Sequence, residues 1–202
     1  GRAVSIKTNK GEIPVGALVL ATGHSARDTY ELLMRLGFSV EPKPFSVGFR
    51  IEHKQADIDK ALYGDFAGHE KLGHAEYALS HNTKERGVYT FCMCPGGFIV
   101  PALTDQSESV VNGMSPSHRN SPYANSGFVT EIREEDYAHL QAEYGALAGL
   151  VFQQQLEQAA RAQAPEHQTA PAQRVGDFVA GRSSASLPKC SYVPGVVPSR
   201  LD

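Results

Sequence analysis

The sequence predicts a mixed α+β fold, an antiparallel or mixed sheet with flanking helices joined to the edge of a Rossmann-like α/β unit. Three stretches carry that expectation. Residues 13–28, IPVGALVLATGHSARD, contain an apolar run from Ala17 to Ala21 that stops at Thr22-Gly23 and leads into a helical pattern. Residues 45–52, FSVGFRIE, alternate apolar and polar side chains with a period of two, as in a strand buried on one face. Residues 146–163 place Leu147, Leu150, Val151 and Leu156 on one stripe with Gln, Glu and Arg opposite, the pattern of an amphipathic helix.

The elements follow in order. Residues 2–20 read as two strands joined at Lys10-Gly11, the second running on into the Ala17–Ala21 strand. A helix is expected over Ala26 to Leu36, ending at Gly37. Pro42 and Pro44 mark a boundary, giving one domain at 1–43 and a second at 44–202. The second opens with the Phe45–Glu52 strand and a helical segment at 54–62, then a Gly- and His-rich loop from Gly64 to Gly73. Strands are expected at Ala75–Ser80, Val88–Met93 and Phe98–Ala102, with Pro95-Gly96-Gly97 as a tight turn between the last two. Ser109–Met114 and Phe128–Ile132 add two more. The interval Gly113–Gly127 reads as a polar loop, Ala164–Pro171 as linker, Val175–Val179 as a short helix and the rest as an extended tail.

Composition narrows the function classes. At 202 residues, with 41% hydrophobic and 20% charged side chains, the chain is long enough for one large domain or parts of two. A net charge of -3 leaves no basic stripe to neutralise phosphates, which argues against nucleic acid and anionic membrane surfaces as partners. No apolar run approaches the roughly 20 residues of a spanning helix, and no signal-peptide pattern is present. Three cysteines make a poor disulfide framework, so a reducing, cytoplasmic setting is expected. The chain opens on Gly1 without an initiator Met and closes on VPGVVPSRLD, which suggests an excised piece of a longer polypeptide.

Four groups of residues could carry chemistry. Ala21 to Ser25 lie where a strand meets a helix, the place at which open α/β sheets bind ligands; the alternative is a turn that serves packing alone. Cys92 and Cys94 have strand spacing and should share a face, as a redox pair, as ligands of a soft metal or as two small buried side chains. Arg50 and Glu52 form either a solvated or cross-strand charge pair or, for Arg50, a fork facing an anionic group of a ligand. The amides and hydroxyls of Asn112, Ser115, Asn120, Ser121, Asn125 and Ser126 belong either to a surface loop or to a binding loop.

A resemblance sharpens these alternatives. Ala21-Thr22-Gly23, after a meander and an apolar strand, resembles the second flavin-contacting motif of FAD-dependent oxidoreductases related to glutathione reductase. The strings ATGHSARDTYELL, FSVGFRIEH, FCMCPGG, VVNGMSPSHRNSPYANSG, RVGDF and SYVPGVVP together resemble a bacterial family of uncharacterised FAD-dependent dehydrogenases. The resemblance implies that residues 1–43 are part of a FAD-binding domain and that 44–202 are an inserted substrate domain shaping the pocket over the flavin. It implies FAD contacts at Ala21, Thr22, Gly23, His24 and Ser25; the candidate substrate contacts, Arg50, Cys92, Cys94, Asn112, Asn120, Ser121 and Asn125, rest on residue chemistry alone.

The GxGxxG turn that would hold the FAD pyrophosphate in that family is absent from this sequence. The expectation is therefore an internal fragment whose partners in the flavin site are the N- and C-terminal parts of the same polypeptide, and which by itself holds FAD weakly or not at all. No residue is assigned as a proton donor. Two other function classes remain open: a non-catalytic module binding a small molecule or a protein through Arg50 and the polar loop, and a small metalloprotein ligated by Cys92 and Cys94.

Overall fold

A computed structural model describes residues 3–103 and 105–201, and it is an α+β protein whose main sheet is antiparallel. The chain divides into two compact units, residues 1–40 and 41–202.

In the first unit, β1 (Ser5–Thr8) and β2 (Gly11–Pro14) form an antiparallel hairpin in which Ile6 faces Ile13. The pairing ends with the Val15 amide donating to Val4 O at 2.9 Å. The expected strand start at Arg2 lies outside the described residues. Residues 17–21 are irregular and exposed, with Val19 at 86% exposure, where the sequence predicts a strand covered on both faces. A strand is defined by a ladder partner, and among the described residues this segment has none. The helix α1 (Arg27–Arg35) follows as expected, with Asp28 in its first turn and Arg35 in its last, each sign matched to the helix dipole.

The second unit is built on β3 (Phe45–Lys54), the strand that the FSVGFRIE alternation predicts. After it come α2 (Gln55–Tyr63), β4 (Ser80–Asn82), β5 (Gly87–Thr90), β6 (Phe98–Pro101), β7 (Val111–Met114) and β8 (Tyr123–Ile132). Next are α3 (Ala138–Tyr144), α4 (Ala148–Gln163), β9 (Ala170–Ala172), α5 (Val175–Val179) and β10 (Val196–Pro198). The central sheet has the order β3-β8-β5-β4, with Phe45 facing Ile132 at one end of the β3–β8 ladder and Lys54 facing Tyr123 at the other. A separate β6–β7 hairpin pairs Ile99 with Gly113, and β9 and β10 run parallel.

This register sorts the side chains of β3 and β8. Phe45, Val47, Phe49, Ile51 and His53 share one face with Ile132, Thr130, Phe128, Ser126 and Ala124. At one end of that face Phe45, Val47 and Ile132 pack on Tyr137, Leu140, Ala148, Val151 and Phe152, the hydrophobic core under α3 and α4. The opposite face carries Ser46, Arg50, Glu52 and Asn125.

Several expectations require correction. The polar interval Gly113–Gly127 is not a loop throughout, because residues 123–127 form the first half of the central strand β8 and Ala124 to Gly127 are buried. The expected strand Ala75–Ser80 begins only at Ser80, and Val88–Met93 ends at Thr90. The Pro95-Gly96-Gly97 turn does not close a hairpin between β5 and β6, since β6 pairs with β7 and β5 with β8. The linker-like segment contributes β9 and the tail contributes β10, and α3 is a helix the sequence reading missed.

Candidate functional site

The polar face of the β3–β8 ladder gathers residues that lie far apart in sequence. Cys94 forms an isolated antiparallel bridge with Asn125, its amide donating to Asn125 O at 2.7 Å and the Asn125 amide returning to Cys94 O at 3.3 Å. Glu52 faces Asn125 from the other side. One row across the sheet therefore reads Glu52, Asn125, Cys94.

Arg50 lies across this row. Its Nε and Nη2 donate to Asn125 Oδ1 at 3.0 and 2.5 Å, and Nη2 also reaches Cys94 Sγ at 3.4 Å. Asn125 is completely buried, so its carboxamide fixes the guanidinium. Among the described residues no carboxylate pairs with Arg50, and Asn125 Nδ2 has no hydrogen-bond partner. Glu52 does not neutralise the arginine. Its carboxylate accepts the Ser191 amide at 3.0 and 3.2 Å and the Ser191 hydroxyl, and the same hydroxyl accepts the Ile99 amide at 2.8 Å.

The glycine at position 113 makes this packing possible. A Cβ there would fall 1.9 Å from Arg50 Nη2 and 2.1 Å from Asn125 Oδ1, so β7 passes directly over the guanidinium–carboxamide pair. The turn after Cys94 is held from the other side. Gly96 has φ +52°, and its amide donates to Gln55 Oε1 at 2.9 Å. Gln55 is 2% exposed and donates through Nε2 to Asp59 Oδ1 at 2.8 Å and to Ala75 O at 3.2 Å. Nothing in the sequence reading marked Gln55, because one glutamine at a helix start carries no pattern.

The other predicted residues are placed less centrally. Cys92 is exposed and outside any strand, so the shared-face spacing with Cys94 does not hold, and all three cysteines are free thiols. Asn112 and Asn120 are exposed, and Asn112 Oδ1 accepts the Gly113 amide. Ser121 is buried but turns back on its own strand, accepting the Tyr123 amide at 3.2 Å. Ser115 donates to Pro95 O at 2.9 Å, across the same turn. Among the described residues no group of three or more His, Cys, Asp or Glu is arranged to hold a metal ion.

The same polar face continues toward β5. Ser46 Oγ lies 2.5 Å from Tyr89 Oη, and Phe91 stands 5.8 Å from Tyr89 in an edge-on arrangement. The Phe91 ring covers Gly127 yet remains 48% exposed. Ser46, Tyr89, Phe91, Arg86, Glu131 and Arg133 border an open cavity of about 670 Å³.

On the opposite face a second polar chain was not foreseen. Tyr77 Oη lies 2.5 Å from His53 Nε2 and 2.8 Å from the hydroxyl of fully buried Ser126. Burial lowers the pKa of His53 below its usual value, against the pull of nearby Asp57. The signal was present in the sequence, as a histidine in register with the apolar face of β3.

In the first unit Ala21 to Ser25 are exposed. Ala21, Thr22 and Gly23 line a cavity of about 360 Å³ with Leu20, Tyr30 and Leu33, while His24 Nε2 and Ser25 Oγ lie 3.4 Å apart. The cavity has apolar and hydroxyl-bearing walls and no lining cation. At the start of α1, Arg27 N donates to Ser25 O and Thr29 N to Ala26 O and Asp28 Oδ1. The walls of this cavity supply hydroxyl and apolar contacts and no cation for a pyrophosphate.

The family described as FAD-dependent protein, C-terminal domain-like has a model that matches residues 44–202. An uncharacterised protein of Clostridium beijerinckii is 41% identical over 199 residues, an overlap that covers 96% of this chain and 37% of that protein. The chain thus spans little more than a third of the length of this relative.

Proposed function

This chain belongs to the FAD-dependent protein, C-terminal domain-like family, and we propose that it is the part of a FAD-dependent oxidoreductase that walls the substrate pocket over the flavin. The observation that carries this reading is the Arg50 guanidinium, held by buried Asn125 beside Cys94 with no carboxylate partner among the described residues. A partly buried cation whose hydrogen-bond partners are neutral is stabilised further by an anion or an electron-rich ring. The exposed Phe91 ring and the cavity beside it extend the same face toward a flat ligand.

FAD, when bound to the complete protein, supplies the redox chemistry. In this chain Ala21, Thr22 and Gly23 would touch an edge of it, with the pyrophosphate held by residues outside these 202. Arg50, Asn125 and Cys94 orient the substrate, and Phe91 and Tyr89 exclude water.

The test compares FAD retention by the isolated 202-residue chain with that by the protein expressed from its complete reading frame. The expected result is near-equimolar FAD on the complete protein and little on the chain alone. A complete protein without flavin overturns the proposal and favours a non-catalytic binding module using the same Arg50 face.

A further inference from the structure

We infer that the open cavity beside Tyr89 and Phe91 is a binding site for an uncharged aromatic ring that carries a hydrogen-bond-accepting oxygen, as in an aryl ketone or a quinone. That such a ring is the substrate rests on the proposal that this face lines the pocket over the flavin. The site itself rests on its space, its aromatic wall, one free donor and the balance of its charges.

The cavity measures about 670 Å³, within the range of roughly 300–1,000 Å³ that holds small organic ligands. Tyr89 and Phe91 form one wall, edge-on to each other at 5.8 Å and 75°. Phe91 covers Gly127 and is still 48% exposed. A ring laid against this pair gains the offset or edge-on contact that aromatic side chains favour, and a saturated ring of the same size does not.

The free donor is a hydroxyl. Ser46 Oγ and Tyr89 Oη lie 2.5 Å apart, and both half-buried residues border the cavity. Two hydroxyls carry two protons, and the bond between them uses one. Among the described residues no other group bonds to either oxygen, so the second O–H is left for an acceptor in the cavity. An oxygen on the ring supplies that acceptor.

Charge balance selects an uncharged ligand. Arg86 donates to Asp136 through both terminal nitrogens and to Glu131 O at 2.9 Å, and Arg133 donates to Glu131 Oε2 at 2.9 and 2.7 Å. Both guanidinium groups at the rim are thus neutralised inside the protein. Lys84 and Glu85, adjacent in the β4–β5 turn, add one charge of each sign. An ionised ligand would give up hydration here without meeting an uncompensated partner.

The experiment uses the protein from its complete reading frame, with acetophenone as probe and with benzoate and cyclohexyl methyl ketone as controls, each followed by ligand-observed NMR titration. The expected dissociation constant for acetophenone is about 1–5 mM, with each control at least about tenfold weaker. Ser46→Ala combined with Tyr89→Phe removes both hydroxyls and keeps the rings, and should weaken acetophenone about tenfold; Phe91→Leu should weaken it about fivefold. The two variants are independent, so one that fails to fold leaves the other as the test. A control that binds as tightly as acetophenone, or wild-type affinity in either folded variant, overturns the inference. The FAD content of the same preparation is measured separately. Flavin without acetophenone binding overturns the inference alone, and acetophenone binding without flavin overturns the pocket reading and leaves the site standing.

Discussion

Arg50 of β3 donates twice to the side-chain oxygen of Asn125 on β8, at 3.0 and 2.5 Å, although the two residues are 75 positions apart in sequence. The carboxamide is completely buried and the guanidinium partly so. Replacing Asn125 by Ala leaves the guanidinium without its acceptor and opens a small void. The expected loss is about 2–3 kcal/mol of unfolding free energy, read from the urea midpoint. Asn125→Asp is expected to keep the wild-type stability or exceed it, because Arg50 then gains an internal carboxylate.

Gly113 is the contact that closes this pair from the β7 side. An alanine Cβ would overlap both Arg50 Nη2 and Asn125 Oδ1, and the buried Asn125 cannot withdraw. Gly113→Ala is therefore expected to cost about 1–3 kcal/mol, the usual range for overpacking. Equal urea midpoints for the variant and the wild type would show that β7 does not hold this position.

Asp136 should shape the acid limb of stability. Hydrogen bonds from Arg86, and next the Arg133 amide, bring its carboxyl from 3.8 down to about 2. The folded state thus binds that proton more weakly than the unfolded chain does. The stabilisation is complete above about pH 4 and is lost as the pH falls toward 2. Melting curves of Asp136→Asn should lie below wild type at pH 6 and converge with it near pH 2. A gap that is constant with pH would assign the effect to packing.

Tyr137 anchors the helical side of the sheet. It is 1% exposed, stacks 6.0 Å from Phe45, and its hydroxyl has no hydrogen-bond partner among the described residues. Tyr137→Phe removes an unsatisfied polar group and keeps the ring, so stability is expected to stay level or rise by up to about 1 kcal/mol. Tyr137→Ala should cost about 3–5 kcal/mol, since it empties the centre of the cluster. Thermal denaturation of the two variants measures both.

The parts of the fold that were legible in the sequence are those with a clear period. The alternation of β3 and the amphipathic start of α4 are legible because Phe45, Val47 and Val151 meet in one core, although Phe49 and Leu156 of the same two patterns stay exposed. The first half of β8 was hidden because YANSG has no apolar alternation. Asn125 and Ser126 are buried there and hydrogen-bonded to Arg50 and Tyr77, partners that lie 75 and 49 positions away in sequence. The run Ala17–Ala21 misled for the opposite reason, since apolarity shows that a segment seeks cover without showing that it is paired. Arg50, Cys94 and Asn125 were individually foreseen, but their meeting depends on the β3–β8 register and the Cys94 bridge, which no local pattern encodes. The strings SYVPGVVP and RVGDF gain their meaning in the same way. Ser191 binds Glu52, and Phe178 packs edge-on against Phe49 at 5.6 Å.

The most direct measurement is the visible spectrum and FAD content of the protein from its complete reading frame, as wild type and as Arg50→Gln. If the Arg50 face covers the flavin, both proteins carry near-equimolar FAD and the absorption band of the variant is displaced. A wild type that purifies without flavin, or two superimposable flavin spectra, would contradict the account.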